Sequence, residues 1–257
     1  QEARVEQAPA PAEEPAAPAP TTLNSQSDEG AGKGVDLAKL GHSPNKGPAW
    51  IGSKDATVLM TIFSDFQCPV CRRSADPIKQ LVADFPGEVK VVFRNNALAM
   101  HGRSQPAAVA AAAAQRQGKF WQYHDKLFET GQLDDQSLLD HARTLGLDMA
   151  KFQSDQADGR LVERMTNEAK MSEKLGASGT PAFFVNGTRQ VGWGSYMALK
   201  SMVAREIAQG KELLTGGAKK KDVIRKRIQA GANSNSKDEG ETHLDGKLWA
   251  DLLLSDL

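Results

Sequence analysis

Both cysteines of this chain lie in one short stretch, Phe66-Gln67-Cys68-Pro69-Val70-Cys71-Arg72-Arg73, separated by two residues. What flanks them limits the folds available. An apolar, β-branched run, Ala56 to Phe63, precedes the pair and predicts a strand over Thr57–Asp65. From Val70 to Phe85 the apolar residues Cys71, Ala75, Ile78, Val82 and Phe85 recur at helical spacing. Pro77 lies inside that pattern and is expected to kink or split the helix. Glu88–Arg94 alternates as a second strand. A strand, a helix and a second strand in this order predict parallel neighbours in one sheet. The cysteine pair therefore falls where a buried strand turns into a helix.

The rest of the chain extends this α/β unit. Residues 1–34 read as a disordered linker: Ala8 to Pro20 holds only Ala, Pro and Glu, a stiff spacer, and the following polar, Gly-rich residues continue it. Gly41 to Pro48 reads as a loop. Four helical patterns follow Ser104, around Ala107–Ala114, Lys119–Glu129, Gln136–Leu145 and Leu161–Leu175, with a short segment at Asp148–Gln153. They read as a helical subdomain inserted at about 101–176. The sheet resumes with Thr180–Val185, and Asn186-Gly187 predicts a hairpin into Thr188–Trp193. Ser195 caps a helix burying Tyr196, Leu199, Val203 and Ile207, with Gly210 as its expected end.

The reading gives three units: linker 1–34, domain 35–211 and a helical extension 212–257. In the extension, Lys219-Lys220-Lys221 and Arg225-Lys226-Arg227 flank Val223, Ile224 and Ile228. After a polar linker, Ser234–Glu241, an amphipathic segment presents Leu244, Leu248 and Leu252 with Trp249 and Leu253. Such a tail can dock on the domain, meet an anionic membrane surface or pack on another chain.

Composition narrows the function classes. Basic and acidic residues balance at 32 each, which gives no argument for nucleic acid or membrane binding. No run reaches the ~18 apolar residues of a membrane helix. The chain starts at Gln1 rather than Met, as a chain does once an export signal is removed, or as an excised piece does. A lone cysteine pair in an otherwise Cys-free chain suits an oxidising compartment, where stray thiols would mispair.

The pair's position also suggests its chemistry. Cys68, at a helix N-terminus, faces unpaired backbone N–H groups and the positive end of the helix dipole, which favour a thiolate. Pro69 suits the first helical turn. Cys71 lies one turn deeper. Cys68 is then the attacking sulfur and Cys71 the resolving one. Half of a zinc site and a static disulfide are the competing readings. Zinc normally takes four ligands, and neither a second CxxC nor ligand-spaced histidines exist among His42, His101, His124, His141 and His243. No metal and no cofactor is expected. Further on, Gly179-Thr180-Pro181 puts at a strand start a proline that cannot join the hydrogen-bond ladder, the mark of an edge or a special turn.

Three blocks, Phe63–Arg73, Gly118–Phe128 and Gly176–Gly187, occur in the order and spacing of the thioredoxin superfamily. The chain resembles its DsbA-like branch of exported thiol:disulfide oxidoreductases. The resemblance implies a thioredoxin-like fold with an inserted helical cap beside the active site. It implies Cys68 and Cys71 as catalytic residues, a cis Pro181 packed against them, and Thr180 backbone pairing with substrate. Pro69, Val70 and Asp65 would modulate the site. Exported proteins with thiols or disulfides would be the substrates, with a redox partner protein. The location would be periplasmic or otherwise extracytoplasmic, with linker or tail as the only candidate membrane contacts.

Two positions depart from that pattern. Ile62 stands where many relatives have a buried acid, and Val70 offers no donor where the strongest oxidants have histidine. Both predict a weaker oxidant. The preferred direction is dithiol oxidation; disulfide isomerisation or reduction, and a binding or scaffold module, are the alternatives.

Overall fold

A computed structural model describes residues 40, 47–235 and 246–255. The predicted linker 1–34, most of the Gly41–Pro48 loop and most of the Ser234–Glu241 linker lie outside the described residues.

The five-stranded sheet has the order β1-β3-β2-β4-β5. Its strands are β1 (Ala49–Gly52), β2 (Val58–Ser64), β3 (Val89–Asn95), β4 (Ala182–Val185) and β5 (Thr188–Val191). As predicted, β2 and β3 are parallel, joined by α1 (Pro69–Asp84). β1 pairs antiparallel with β3; the sequence reading missed it because four residues show too little periodicity. α1 runs unbroken through Pro77, so the expected split does not occur. Pro77 withholds an N–H only from the carbonyl of Arg73, an exposed residue where water can serve instead.

The period-2 alternation of the strands sorts two cores. Val58, Met60 and Ile62 of β2, Val89, Val91 and Phe93 of β3, and Phe183 and Val185 of β4 face one side. There they meet α1 and α7 (Tyr196–Thr215). Leu59, Phe63, Val92, Ala182 and Phe184 face the other. Between β3 and β4 come α2 (Ser104–Gln115), α3 (Phe120–Thr130), α4 (Asp135–Thr144), α5 (Met149–Gln156) and α6 (Gly159–Lys174), the predicted helical insertion. The alanines of α2 are all buried, and their small side chains let the surrounding helices close on it.

α7 does not stop at Gly210. A Cβ there would lie 3.4 Å from Val223 and 3.5 Å from Thr57, so this glycine allows close packing and is not a helix stop. Beyond it, α8 (Lys220–Asn235) and α9 (Gly246–Leu253) cover the second face with Ile228, Ala232, Trp249, Ala250 and Leu253.

The hairpin anchors this cover. Asn186 and Gly187 both take positive φ, 44° and 84°, as a two-residue turn of this hand requires. The Asn186 side chain accepts from Leu59 N–H at 2.9 Å and donates to Glu206 at 3.3 Å, and Arg227 of α8 grips the same Glu206 at 2.9 and 3.0 Å. Gly231 lies directly on the turn: a Cβ would sit 2.6 Å from Asn186 O and 2.7 Å from Thr188 N. Backbone on both sides cannot yield cheaply. Gly231→Ala is expected to cost about 1–3 kcal/mol and lower the melting temperature by roughly 3–10 °C in a thermal scan. An unchanged melting temperature would mean that α8 is not seated on the turn.

Candidate active site

β2 ends at Ser64 and α1 begins at Pro69, so the strand-to-helix turn delivers Cys68 as the N-cap, with φ −75° and ψ 121°. Pro69, Val70 and Cys71 are the first three helical residues. Phe66 anchors the turn by stacking on Phe93 at 5.4 Å and packing on Phe128 at 5.1 Å. Pro69 is exposed and Val70 half-buried. Both cysteines are free thiols; Cys68 keeps 6% exposure and Cys71 only 1%.

From β4 comes the second half of the site. The Thr180–Pro181 bond is cis. The Cys68 thiol donates to the Thr180 carbonyl at 3.5 Å. The fold thus brings together Cys68, Cys71, Thr180 and Pro181, residues more than a hundred positions apart.

The two sulfurs differ electrostatically. The Cys71 side chain, donating to Cys68, lowers the Cys68 pKa to about 5. Burial opposes this, while the Cys71 N–H, the Thr180 side chain and the Val70 N–H assist. Among the described residues the buried Thr180 hydroxyl has no hydrogen-bond partner, so its help to the thiolate is weak beside that of the Cys71 thiol. Burial pushes the Cys71 thiol well up, with the Cys68 partnership adding to it; Ser64 and the Asp65 backbone oppose. Val70 was expected to leave the thiolate short of donors. Its own backbone N–H, the neighbouring thiol and Thr180 still lower the Cys68 pKa. Ile62 is buried between Phe93 and Phe183 and, as an apolar residue, brings no acid to the site.

The Asp65 carboxylate is fully engaged elsewhere. One oxygen accepts from Gln67 N–H at 2.7 Å and from the Ser104 hydroxyl; the other accepts from Leu98 N–H at 2.9 Å and meets His101 Nδ1 at 2.8 Å. Two arginines tie the helical cap to the same turn. Arg72 donates to Glu129 O at 2.6 Å; Arg103 donates its N–H to Gln67 Oε1 at 2.7 Å and its guanidinium to Leu133 O at 2.8 Å. None of Leu98, His101, Arg103 and Ser104 is a site residue expected from sequence. They stand more than 30 positions from Asp65, and no local spacing betrays them. Among the described residues, no three His, Cys, Asp or Glu side chains gather to hold a metal ion.

Known proteins share this fold. Residues 44–205, well over half of the chain, match the family model described as Thioredoxin. A thioredoxin-like oxidoreductase from Silicibacter pomeroyi superposes with a TM-score of 0.58 at 30% identity, covering 63% of this chain and 92% of that one. The thiol-disulfide exchange protein alpha-DsbA2 from Wolbachia pipientis gives 0.57 at 26% identity, covering 62% and 86%. ScsC from Proteus mirabilis gives 0.56 at 25% identity, covering 65% and 75%. Among curated sequences, a Na(+)/H(+) antiporter NhaA 1 from Salinispora arenicola is 36% identical over 159 residues, which are 61% of this chain and 24% of the antiporter. The chain spans only about a quarter of the length of these curated relatives, so the match speaks for a shared portion and not for transport. No helix among the described residues is long and apolar enough to cross a membrane. The chain belongs to the thioredoxin family, in its DsbA-like branch of thiol:disulfide oxidoreductases.

Proposed function

We propose that this protein is an extracytoplasmic dithiol oxidase that passes the Cys68–Cys71 disulfide to exported proteins. The observation that carries the direction is the thiolate-favouring surroundings of Cys68, its pKa lowered to about 5. A substrate thiolate attacks Cys68 Sγ; the Cys68–Cys71 bond breaks, and Cys71 leaves and takes a proton. A second substrate thiolate then attacks the substrate sulfur of the mixed disulfide and expels Cys68 as thiolate. The substrate loses two electrons and the CxxC gains them. A low Cys68 pKa makes this last departure easy and stabilises the reduced enzyme, which is what makes its disulfide oxidising. The lone CxxC supports an oxidising compartment, where a redox partner protein would reoxidise the pair.

Substrate would lie along Thr180–Pro181, where Val191, 50% exposed and paired with Ala182, adds apolar surface suited to an unfolded chain. Cys71→Ser is the test. It removes the resolving sulfur, so thiol-containing exported proteins should accumulate on Cys68 as mixed disulfides released by reductant. No adducts, together with no oxidation of reduced ribonuclease and no insulin reduction by the wild type, would overturn the reading.

A further inference from the structure

We propose that Asp65 is a positioning residue for the thiol pair, locking the Cys68 turn and the root of the helical cap, residues 98–104, into one unit. This rests on the thiol-exchange reading above. The Asp65 side chain has 0% exposure, and a buried carboxylate is tolerated only when its lone pairs are filled. All four positions are: Gln67 N–H and the Ser104 hydroxyl on Oδ1, Leu98 N–H and His101 Nδ1 on Oδ2. Two partners lie on the thiol side or in the connecting loop as fixed backbone donors, and two are adaptable side chains of the cap root.

The same residue meets the thiols through its backbone. Its carbonyl accepts the Cys68 N–H at 3.1 Å, and its backbone favours the Cys71 thiolate. A carboxylate anchored to the cap therefore sets where both sulfurs stand. With its lone pairs taken, Asp65 has no free oxygen for the Cys71 proton; it fixes the turn from which Cys68 opens α1.

Chemistry supplies a sharp variant. In Asp65→Asn one oxygen becomes NH2. Ser104 can rotate its hydroxyl and His101 can change tautomer to accept from it. The N–H of Gln67 and that of Leu98 cannot turn into acceptors. Each oxygen holds one of these backbone donors, so either orientation of the amide leaves a donor facing a donor.

The experiment follows thiolate ultraviolet absorbance against pH in the reduced protein. Asp65→Asn is expected to raise the Cys68 pKa by about one unit or more, a tenfold loss of thiolate preference. His101→Leu with Ser104→Ala, which removes only the cap-side contacts, is expected to raise it by about half a unit, and His101→Asn, which keeps a donor, by less. Asp65→Asn folded as judged by circular dichroism, with an unmoved Cys68 pKa, overturns the proposal. Where Asp65→Asn does not fold, an unmoved pKa in the His101/Ser104 variant overturns it equally. The readout needs no substrate: a wild type with the low pKa but no exchange activity defeats the proposed function instead.

Discussion

Cys71→Ala is expected to raise the pKa of Cys68 by about one to two units, whereas Cys71→Ser leaves it within about half a unit. The reason is the order of the causes. The largest stabiliser of the Cys68 thiolate is the Cys71 side chain donating to it, ahead of the backbone N–H groups and Thr180. Serine keeps an O–H donor in that place and alanine does not. A hydrogen bond to an ionised group contributes about 1.5–3 kcal/mol, and one pKa unit is 1.36 kcal/mol, which sets the size of the shift. Equal pKa values in the two variants would show that the helix N-terminus alone makes the thiolate.

The same asymmetry gives the reduced protein a pH-dependent stability. The folded pKa of Cys68, about 5, lies below its ordinary value of 9.0. Its contribution is complete above the ordinary value and lost as pH falls through about 5. Cys71 acts with the opposite sign: its folded pKa is raised, so its contribution is present below the ordinary thiol range and lost above it. The melting temperature of the reduced protein, measured relative to the oxidised form that lacks both titrations, should therefore climb between about pH 5 and 9. It should turn down beyond that range. A flat difference would mean that Cys68 is not held as a thiolate.

What could be read in the sequence was local. Strand, CxxC and helix follow one another within thirty residues, and Asn186-Gly187 specifies its turn by the φ values it tolerates. These came out as expected. What was missed depends on distant partners. β1 exists because β3 offers an edge to Ala49–Gly52, not because four residues show a pattern. Gly210 looks like a helix stop until Thr57 and Val223 come close to it. Counting side-chain donors around Cys68 suggested a poor thiolate, because Val70 has none. The groups that lower the Cys68 pKa are the other thiol, the backbone N–H groups and the side chain of a threonine 112 positions away. Asp65 could be flagged by its closeness to Cys68, but its partners on residues 98, 101 and 104 could not.

The tail has three readings from sequence, and the apolar side chains of α9 pack on the domain. Trp249, 5% exposed, meets Phe184 edge-on at 5.4 Å, and Ala250 and Leu253 are buried with it against Phe63 and Val92. Arg225–Asp251 at 2.6 Å and Arg94 to Ser255 O at 2.7 Å hold the C-terminal half of the helix and the residues just after it. Eight residues are too few to hold a helix in water alone, so packing on the sheet is what forms α9. Among the described residues, Leu248, 44% exposed, is the large apolar side chain α9 leaves outside. Trp249→Ala should then behave as a core truncation. Such changes cost about 3–5 kcal/mol; the buried indole N–H has no partner among the described residues, and losing it offsets part of this, so about 2–4 kcal/mol is expected. For a protein of this size that is a fall in melting temperature of roughly 5–15 °C. The Cys68 titration should not move, because the thiols belong to the opposite face of the sheet. A melting temperature within about 1 °C of the wild type would mean that the second face does not depend on α9. A shifted thiolate pKa would mean that the two faces communicate through β2, whose Leu59 and Phe63 face the tail while Met60 and Ile62 face the active-site helix.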